Sequence, residues 1–287
     1  MRVAAVQTTA GEDRDANLAA ADALVAEAAA AGAALIVLPE WFSVAGAPAV
    51  LRAAAEDLDG PTVTWAAARA ARWGVHLVAG SFPERRSDGR VSNTSCLLGP
   101  DGSVLATYRK IHLFDVTVGG AAFRESDSVA PGDLPVMAPL EGAGGTDPTP
   151  VLGMELCYDI RFPELSRVLT LAGATVLAVP AAFTAVTGRA HWEVLLRARA
   201  VENGAVVVAA GQVGTLPAGM PECHGHSMVV DPWGTVVAER TEPTPGVVVA
   251  EIDPADQARI RSELPVLANR RPEAYRGLHG TDEERSG

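Results

Sequence analysis

Apolar runs of five to eight residues, separated by amphipathic stretches and Gly- or Pro-bearing turns, organise this chain. Residues 1–7, 34–39, 103–107 and 150–156 read as buried strands, because each is short, apolar and bounded by turn residues. Residues at about 12–31, 61–73, 161–172 and 189–203 carry apolar positions at helical spacing and read as helices. Segment 137–149 is rich in Gly and Pro without periodicity, and is expected to be a surface crossing.

The pattern also repeats. Ala31-Gly-Ala-Ala-Leu-Ile-Val-Leu-Pro39 returns as Ala172-Gly-Ala-Thr-Val-Leu-Ala-Val-Pro180, and Trp73-Gly-Val-His-Leu-Val-Ala79 as Asn203-Gly-Ala-Val-Val-Val-Ala209. Ser95-Cys-Leu-Leu-Gly-Pro-Asp-Gly-Ser-Val-Leu-Ala106 returns as Ser227-Met-Val-Val-Asp-Pro-Trp-Gly-Thr-Val-Val-Ala238. Three echoes in the same order imply two similar halves, each a sheet with helices on its outer face. The expected fold is α/β, a four-layer α-β-β-α sandwich of two pseudo-symmetric halves. One domain is expected over 1–275, with a polar tail over 276–287.

Composition narrows the options. A hydrophobic content of 48% over 287 residues supports a large packed core, and a net charge of −12 argues against a nucleic-acid partner. The three cysteines have no paired spacing, which speaks against a disulfide scaffold. No basic flank with an apolar run precedes the first strand, and no apolar run is long enough to span a membrane, so a reducing cytoplasm is the expected compartment. Neither a P-loop nor a dinucleotide motif is present, so no cofactor is expected. Cys223-His-Gly-His226 lacks a completing ligand pair and reads as a strand start with both histidines on one face, not as a metal site.

The candidate chemistry lies at strand ends. Cys157 ends the run 150–156, and Pro163 opens the helix behind it. A lone cysteine on an apolar strand is usually a small hydrophobe. At a strand-to-helix elbow, however, helix N–H groups favour its thiolate and can hold an oxyanion. Glu40 follows Pro39 and Lys110 follows the strand 103–107. Each alone reads as a solvated charge, but with Cys157 they supply a base, an electrophile and a nucleophile. Competing arrangements fit less well, since none of the six histidines sits in a partner motif for a Cys–His protease.

Glu40, Lys110 and Cys157, within LPEWF, YRKIHLFDV and CYDIRFPEL, resemble the nitrilase superfamily of carbon–nitrogen hydrolases. The resemblance runs nearly end to end and includes FRES, GHSM and DPWG. It is nearest to the Nit amidase subgroup, more to its deaminated-glutathione branch than to the omega-amidases. It implies a cofactor-free amidase acting on a small carboxylate-bearing amide. Cys157 attacks the carbonyl while Lys110 and the N–H of Tyr158 hold the oxyanion. Glu40 then carries the proton to the departing nitrogen, which leaves as ammonia, and Glu125 orients Lys110 or the substrate. An omega-amidase, an N-carbamoyl hydrolase and a catalytically silent binding protein are the alternatives. Tyr158-Asp159 after the cysteine, where nitrile-active members carry Trp-Glu, disfavours a nitrilase.

Arg161 is expected to pair with a substrate carboxylate or, alternatively, to bridge Glu164 or Asp159. Phe183 is expected to wall the acyl pocket or, alternatively, to pack in the core, whereas His191, Trp192 and Glu193 are expected at a helix start, in packing or an interface. The resemblance further implies a homodimer or larger assembly with helices 161–172 or 189–203 at the contact.

Overall fold

A computed structural model describes residues 1–118, 120–217 and 220–275, so the tail expected over 276–287 lies outside the described residues. Two sheets form the body. In the first, Arg2–Gln7, Leu35–Val37 and His76–Val78 run parallel, with Gly246–Glu251 antiparallel on one flank and Val91–Leu98 on the other. In the second, Val151–Met154, Val176–Ala181 and Val206–Gly211 run parallel, flanked by Val136–Pro139 and Met228–Val230. The echoed segments occupy matching places. Leu35–Val37 and Val176–Ala181 are both the middle parallel strand, and His76–Val78 and Val206–Gly211 are both the third.

The hairpins match as well. Val91–Leu98 with Val104–Arg109, and Met228–Val230 with Val236–Glu239, carry register shifts at Leu97/Leu98 and Val229/Val230. Each turns through a glycine of positive φ, Gly102 at 84° and Gly234 at 89°. A side chain at Gly102 would also meet the Ala67 carbonyl at 2.8 Å.

Strand alternation builds the layers. Val3, Ala5, Leu35 and Val37 face the second sheet and join Leu152, Met154, Leu177 and Val207 in one buried cluster. Their neighbours Ala4, Val6, Ile36 and Leu38 point outward and pack against Leu18, Ala21 and Val25 of helix Arg14–Ala30 and against Val63 and Ala66 of helix Pro61–Trp73. Helices Pro163–Leu171 and Ala185–Asn203 cover the second sheet through Leu165, Leu169, Trp192 and Leu196. The result is the expected four-layer α-β-β-α sandwich. No helix among the described residues is long and apolar enough to cross a membrane.

Four local expectations are revised. Segment 137–149 is not wholly a crossing, because Val136–Pro139 forms the edge strand on Val151–Met154. A 3-10 turn, Cys157–Arg161, precedes the helix that starts at Pro163. The helix expected from 189 begins at Ala185, capped by the Thr184 side chain, so His191 to Glu193 lie inside it. His226 has a φ of 54° and falls outside the short strand Cys223–His224, yet its ring stacks on His224 at 4.3 Å. Among the described residues no group of three or more His, Cys, Asp and Glu side chains could hold a metal ion.

Glu155, in the run between Met154 and Cys157, is buried and accepts from the Ser166 hydroxyl at 2.5 Å, while its Oε2 meets no partner among the described residues. Burial pushes its carboxyl from the ordinary 4.5 up to about 7. The folded chain therefore holds this proton more tightly than the unfolded chain, a contribution complete below about pH 4.5 and lost as pH rises through about 7. Glu155→Gln should lose less thermal stability than wild type between pH 5 and pH 8. Parallel melting curves that fall equally for both proteins would refute this.

Candidate active site

Three carboxyl ends of strands deliver the central groups. Glu40 follows Leu35–Val37, Lys110 follows Val104–Arg109, and Cys157 follows Val151–Met154; all three residues are buried. The Lys110 ammonium lies between two carboxylates, with Nζ 2.9 Å from Glu40 Oε1 and 2.9 Å from Glu125 Oε2. Glu40 also accepts from Asn93 Nδ2 at 2.8 Å and, on Oε2, from the Ala182 N–H at 2.8 Å. Glu125 accepts from the Phe114 N–H at 2.6 Å and from Asn93 at 3.3 Å. Behind Glu40, Gln212 Nε2 donates to its backbone carbonyl at 3.0 Å, and Gln212 Oε1 accepts from Thr8 and Ala10. The four residues Glu40, Lys110, Glu125 and Cys157 thus meet at one place, as the sequence implied.

The charges settle one another's states. Burial alone would lower the Lys110 pKa, but the carboxylates of Glu125 and Glu40 overturn that and hold it well above the ordinary lysine value. Burial pushes the Cys157 thiol well up, and the charge of Glu40 adds to this against the smaller opposing pull of Lys110. Burial and the facing Glu40 carboxylate thus work against the thiolate that the elbow and Lys110 favour, and the direction of the shift is towards the thiol.

Backbone conformation is unusual at two of these positions. Cys157 has φ 47° and Trp41, directly after Glu40, has φ 56°. Left-handed backbone at a bulky non-glycine residue costs on the order of 1–3 kcal/mol and persists only where the surroundings enforce it. At Trp41 the Ser81 hydroxyl accepts from the N–H at 2.9 Å.

A cleft of about 260 Å³ opens over these groups, walled by Trp41, Phe114, Phe123, Tyr158, Phe183 and Met220. Tyr158 packs edge-on against Phe114 at 5.1 Å, and Phe183 lies tilted against Trp192 at 5.0 Å, so Phe183 belongs to both wall and core. Arg161 does not line the cleft. Its guanidinium lies over the rings of Phe183 and Tyr158, 5.0 Å and 5.8 Å from their centroids, with Nη1 3.2 Å from His191 Nδ1. Nor does it bridge Asp159, whose carboxylate is fully buried and bonded to Tyr108 and His112. The arginine that lines the cleft is Arg124, fixed by Nη1 bonds to the carbonyls of Phe123 at 2.8 Å and Val116 at 3.2 Å.

Sequence reasoning missed Asn93, Asp159, Ala182, Gln212 and Arg124. Asn93 carried a usable signal: it stands in a polar run, Ser92 to Ser95, inside a strand whose every residue is buried. Buried polar side chains in a strand need partners, and here those partners are the two carboxylates.

The model of the carbon–nitrogen hydrolase family matches residues 2–262. Deaminated glutathione amidase of Bos taurus is 44% identical over 282 residues, covering 96% of this chain and 84% of that protein. Omega-amidase NIT2 of Danio rerio is 38% identical over 275 residues, covering 96% of each. A solved structure of a mutant amidase from Nesterenkonia sp. AN1, with acrylamide joined by Michael addition to its active-site cysteine, superposes with a TM-score of 0.78 at 29% identity, covering 97% of this chain and 99% of that one. The chain belongs to the carbon–nitrogen hydrolase family and is an enzyme that acts on amides.

Proposed function

We propose that this amidase hydrolyses a small carboxylate-bearing amide through a thioester on Cys157, and that residues 1–275 form the one domain that does so. The observation that carries the reading is the Lys110 ammonium buried between Glu40 and Glu125 at the floor of the cleft holding Cys157. Cys157 sulfur bonds to the amide carbonyl carbon as its proton passes to Glu40. Lys110 and the Tyr158 N–H, in the first turn of the 3-10 segment where N–H groups lack intrahelical partners, stabilise the oxyanion. Glu40 returns the proton to nitrogen, the C–N bond breaks, and the nitrogen leaves as ammonia or as a free amine. Water then attacks the thioester with Glu40 as base, the C–S bond breaks and the thiol is regenerated. Glu125 orients Lys110.

The upward direction of the Cys157 thiol shift favours this transfer of the thiol proton to Glu40 over attack by a preformed thiolate. The relatives named deaminated glutathione amidase and omega-amidase support an acyl group bearing a second carboxylate. Arg124 is suited to meet that carboxylate, since its anchored Nη1 leaves the rest of its fork free. Tyr158 and Phe183 shape the acyl pocket, and Arg161 serves binding through the two rings it packs on. A reducing cytoplasm suits three free, buried cysteines. A homodimer or larger assembly is favoured by an exposed apolar stripe along the second-half helices, Val186, Val194 and Val201 with Val168 and Leu171.

Cys157→Ser should fold and lose far more than tenfold in kcat/KM towards short amides. Retention within about tenfold, ~1.4 kcal/mol of barrier, would overturn the assignment. Lys110→Met should lower kcat by about 100-fold or more, with a smaller change in KM, and an effect on KM alone would contradict its place at the oxyanion. Arg124→Gln should cost about tenfold in kcat/KM for acidic amides and much less for neutral ones, whereas Arg161→Lys should weaken both alike. The reverse pattern in paired assays would exchange the two roles. Light scattering at micromolar concentration should give at least twice the chain mass, and a monomer would exclude the proposed interface.

A further inference from the structure

Asp159 is wholly buried and its carboxylate collects four donors from two segments of chain. Oδ2 accepts from the Tyr108 hydroxyl at 2.6 Å and from the Leu156 N–H at 2.8 Å. Oδ1 accepts from the His112 N–H at 3.0 Å and stands 2.8 Å from His112 Nδ1. The placement of these donors is specific. Tyr108 and His112 lie two residues before and two after Lys110, while Leu156 and Asp159 enclose Cys157. One anion therefore ties both flanks of the lysine to both flanks of the nucleophile.

Neighbouring contacts keep this clamp rigid and polarised one way. Tyr108 is fully buried, and its phenol is held well above the ordinary value by burial and then by the Asp159 charge, so it remains a donor. Its oxygen also accepts from the Ile111 N–H at 3.3 Å. The His112 ring lies flat on Phe162, 3.7 Å apart and 7° from parallel, which fixes Nδ1 towards the carboxylate. Phe162 in turn packs edge-on against Tyr158, a wall of the cleft, at 5.3 Å. The left-handed φ of 47° at Cys157 lies between two points held by this one carboxylate, which gives the strained elbow a local cause.

We propose that Asp159 is a positioning residue of the amidase reaction: its buried carboxylate sets the Lys110 ammonium against the Cys157 sulfur by fastening the 108–112 segment to the nucleophile elbow. The proposal rests on the assignment of Cys157 and Lys110 given above. An amide at position 159 keeps the shape but turns one of the two oxygens into a donor, so two of the four donors lose their acceptor. Displacements near 1 Å in such constellations cost on the order of 100-fold in rate without needing to alter substrate contacts. Asp159 touches no substrate in this reading, so its loss belongs in kcat.

The test compares wild type, Asp159→Asn, Tyr108→Phe and Cys157→Ser by steady-state kinetics on a neutral short amide, with the melting temperature and the pH profile of Cys157 alkylation by iodoacetamide measured for each cysteine-bearing protein. Asp159→Asn, assayed well below its melting temperature, should lose about 30- to 100-fold in kcat with KM within about threefold. Its alkylation profile should shift to higher pH, because Lys110 no longer opposes the raised thiol pKa as effectively. Tyr108→Phe removes one arm and leaves an apolar ring suited to a core site, so it should lose about three- to tenfold in kcat with KM unchanged. It also decides the matter if Asp159→Asn does not fold. A role confined to stability predicts a lower melting temperature with kcat and the alkylation profile unchanged in the folded protein, and that result overturns the proposal. An active Cys157→Ser would instead bring down the underlying mechanism, so the two failures are distinguishable.

Discussion

A single ammonium sealed between two carboxylates governs this molecule. Taking three charges out of water costs several kcal/mol per ion, and their attraction offsets this only where further hydrogen bonds satisfy every remaining lone pair. Those bonds are supplied from far apart in the chain. Asn93 reaches from the middle of a strand, the Phe114 N–H from a loop, and the Ala182 N–H from the loop after a strand of the opposite sheet. Removing one member would leave an uncompensated buried charge, so the scaffold serves the cluster as much as the cluster serves chemistry.

The same arrangement explains why the duplicated halves carry different chemistry. The sheets share order, direction and hairpin bulges, yet the residue after Pro39 is Glu40 whereas its counterpart after Pro180 is Ala181, a fully buried strand end. In the second half the corresponding loop contributes a main-chain donor, Ala182, and the Phe183 wall but no charge, and its first parallel strand leads to the nucleophile. Symmetry thus provides two similar walls, and the reactive groups occupy one asymmetric seam where loops from both converge.

Legibility in the sequence followed the range of the interactions. Strands and outer helices were readable because alternation and helical period are local properties, and the repeats confirmed their order. Glu40, Lys110 and Cys157 were readable because each ends an apolar run, and Glu125 through the motif around it. Asp159, by contrast, read only as an alternative bridging partner for Arg161, since its true donors, Tyr108 and His112, lie 51 and 47 residues away. Arg124 and Arg161 could not be ranked from sequence, because which one faces the cleft depends on how the hairpin Asp115–Val118 and Ala121–Arg124 folds over it. The setting of Cys157 was half legible for a related reason: a helix start is visible in sequence, but the burial and the facing carboxylate that work against it are not.

The bond from the Ala182 N–H to Glu40 closes a span of 142 residues, and the Gln212 bond to the Glu40 carbonyl one of 172. Contacts of such separation form only after the loop-closure entropy of most of the chain has been overcome. The parallel strands of each sheet can assemble from near neighbours, but the edge strand Gly246–Glu251 on Arg2–Gln7 and the seam between the sheets have no local precursor. Recovery of turnover during refolding therefore marks the docking of the two sheets, later than the return of secondary structure, which makes catalysis itself the most stringent reporter that this chain has completed its fold.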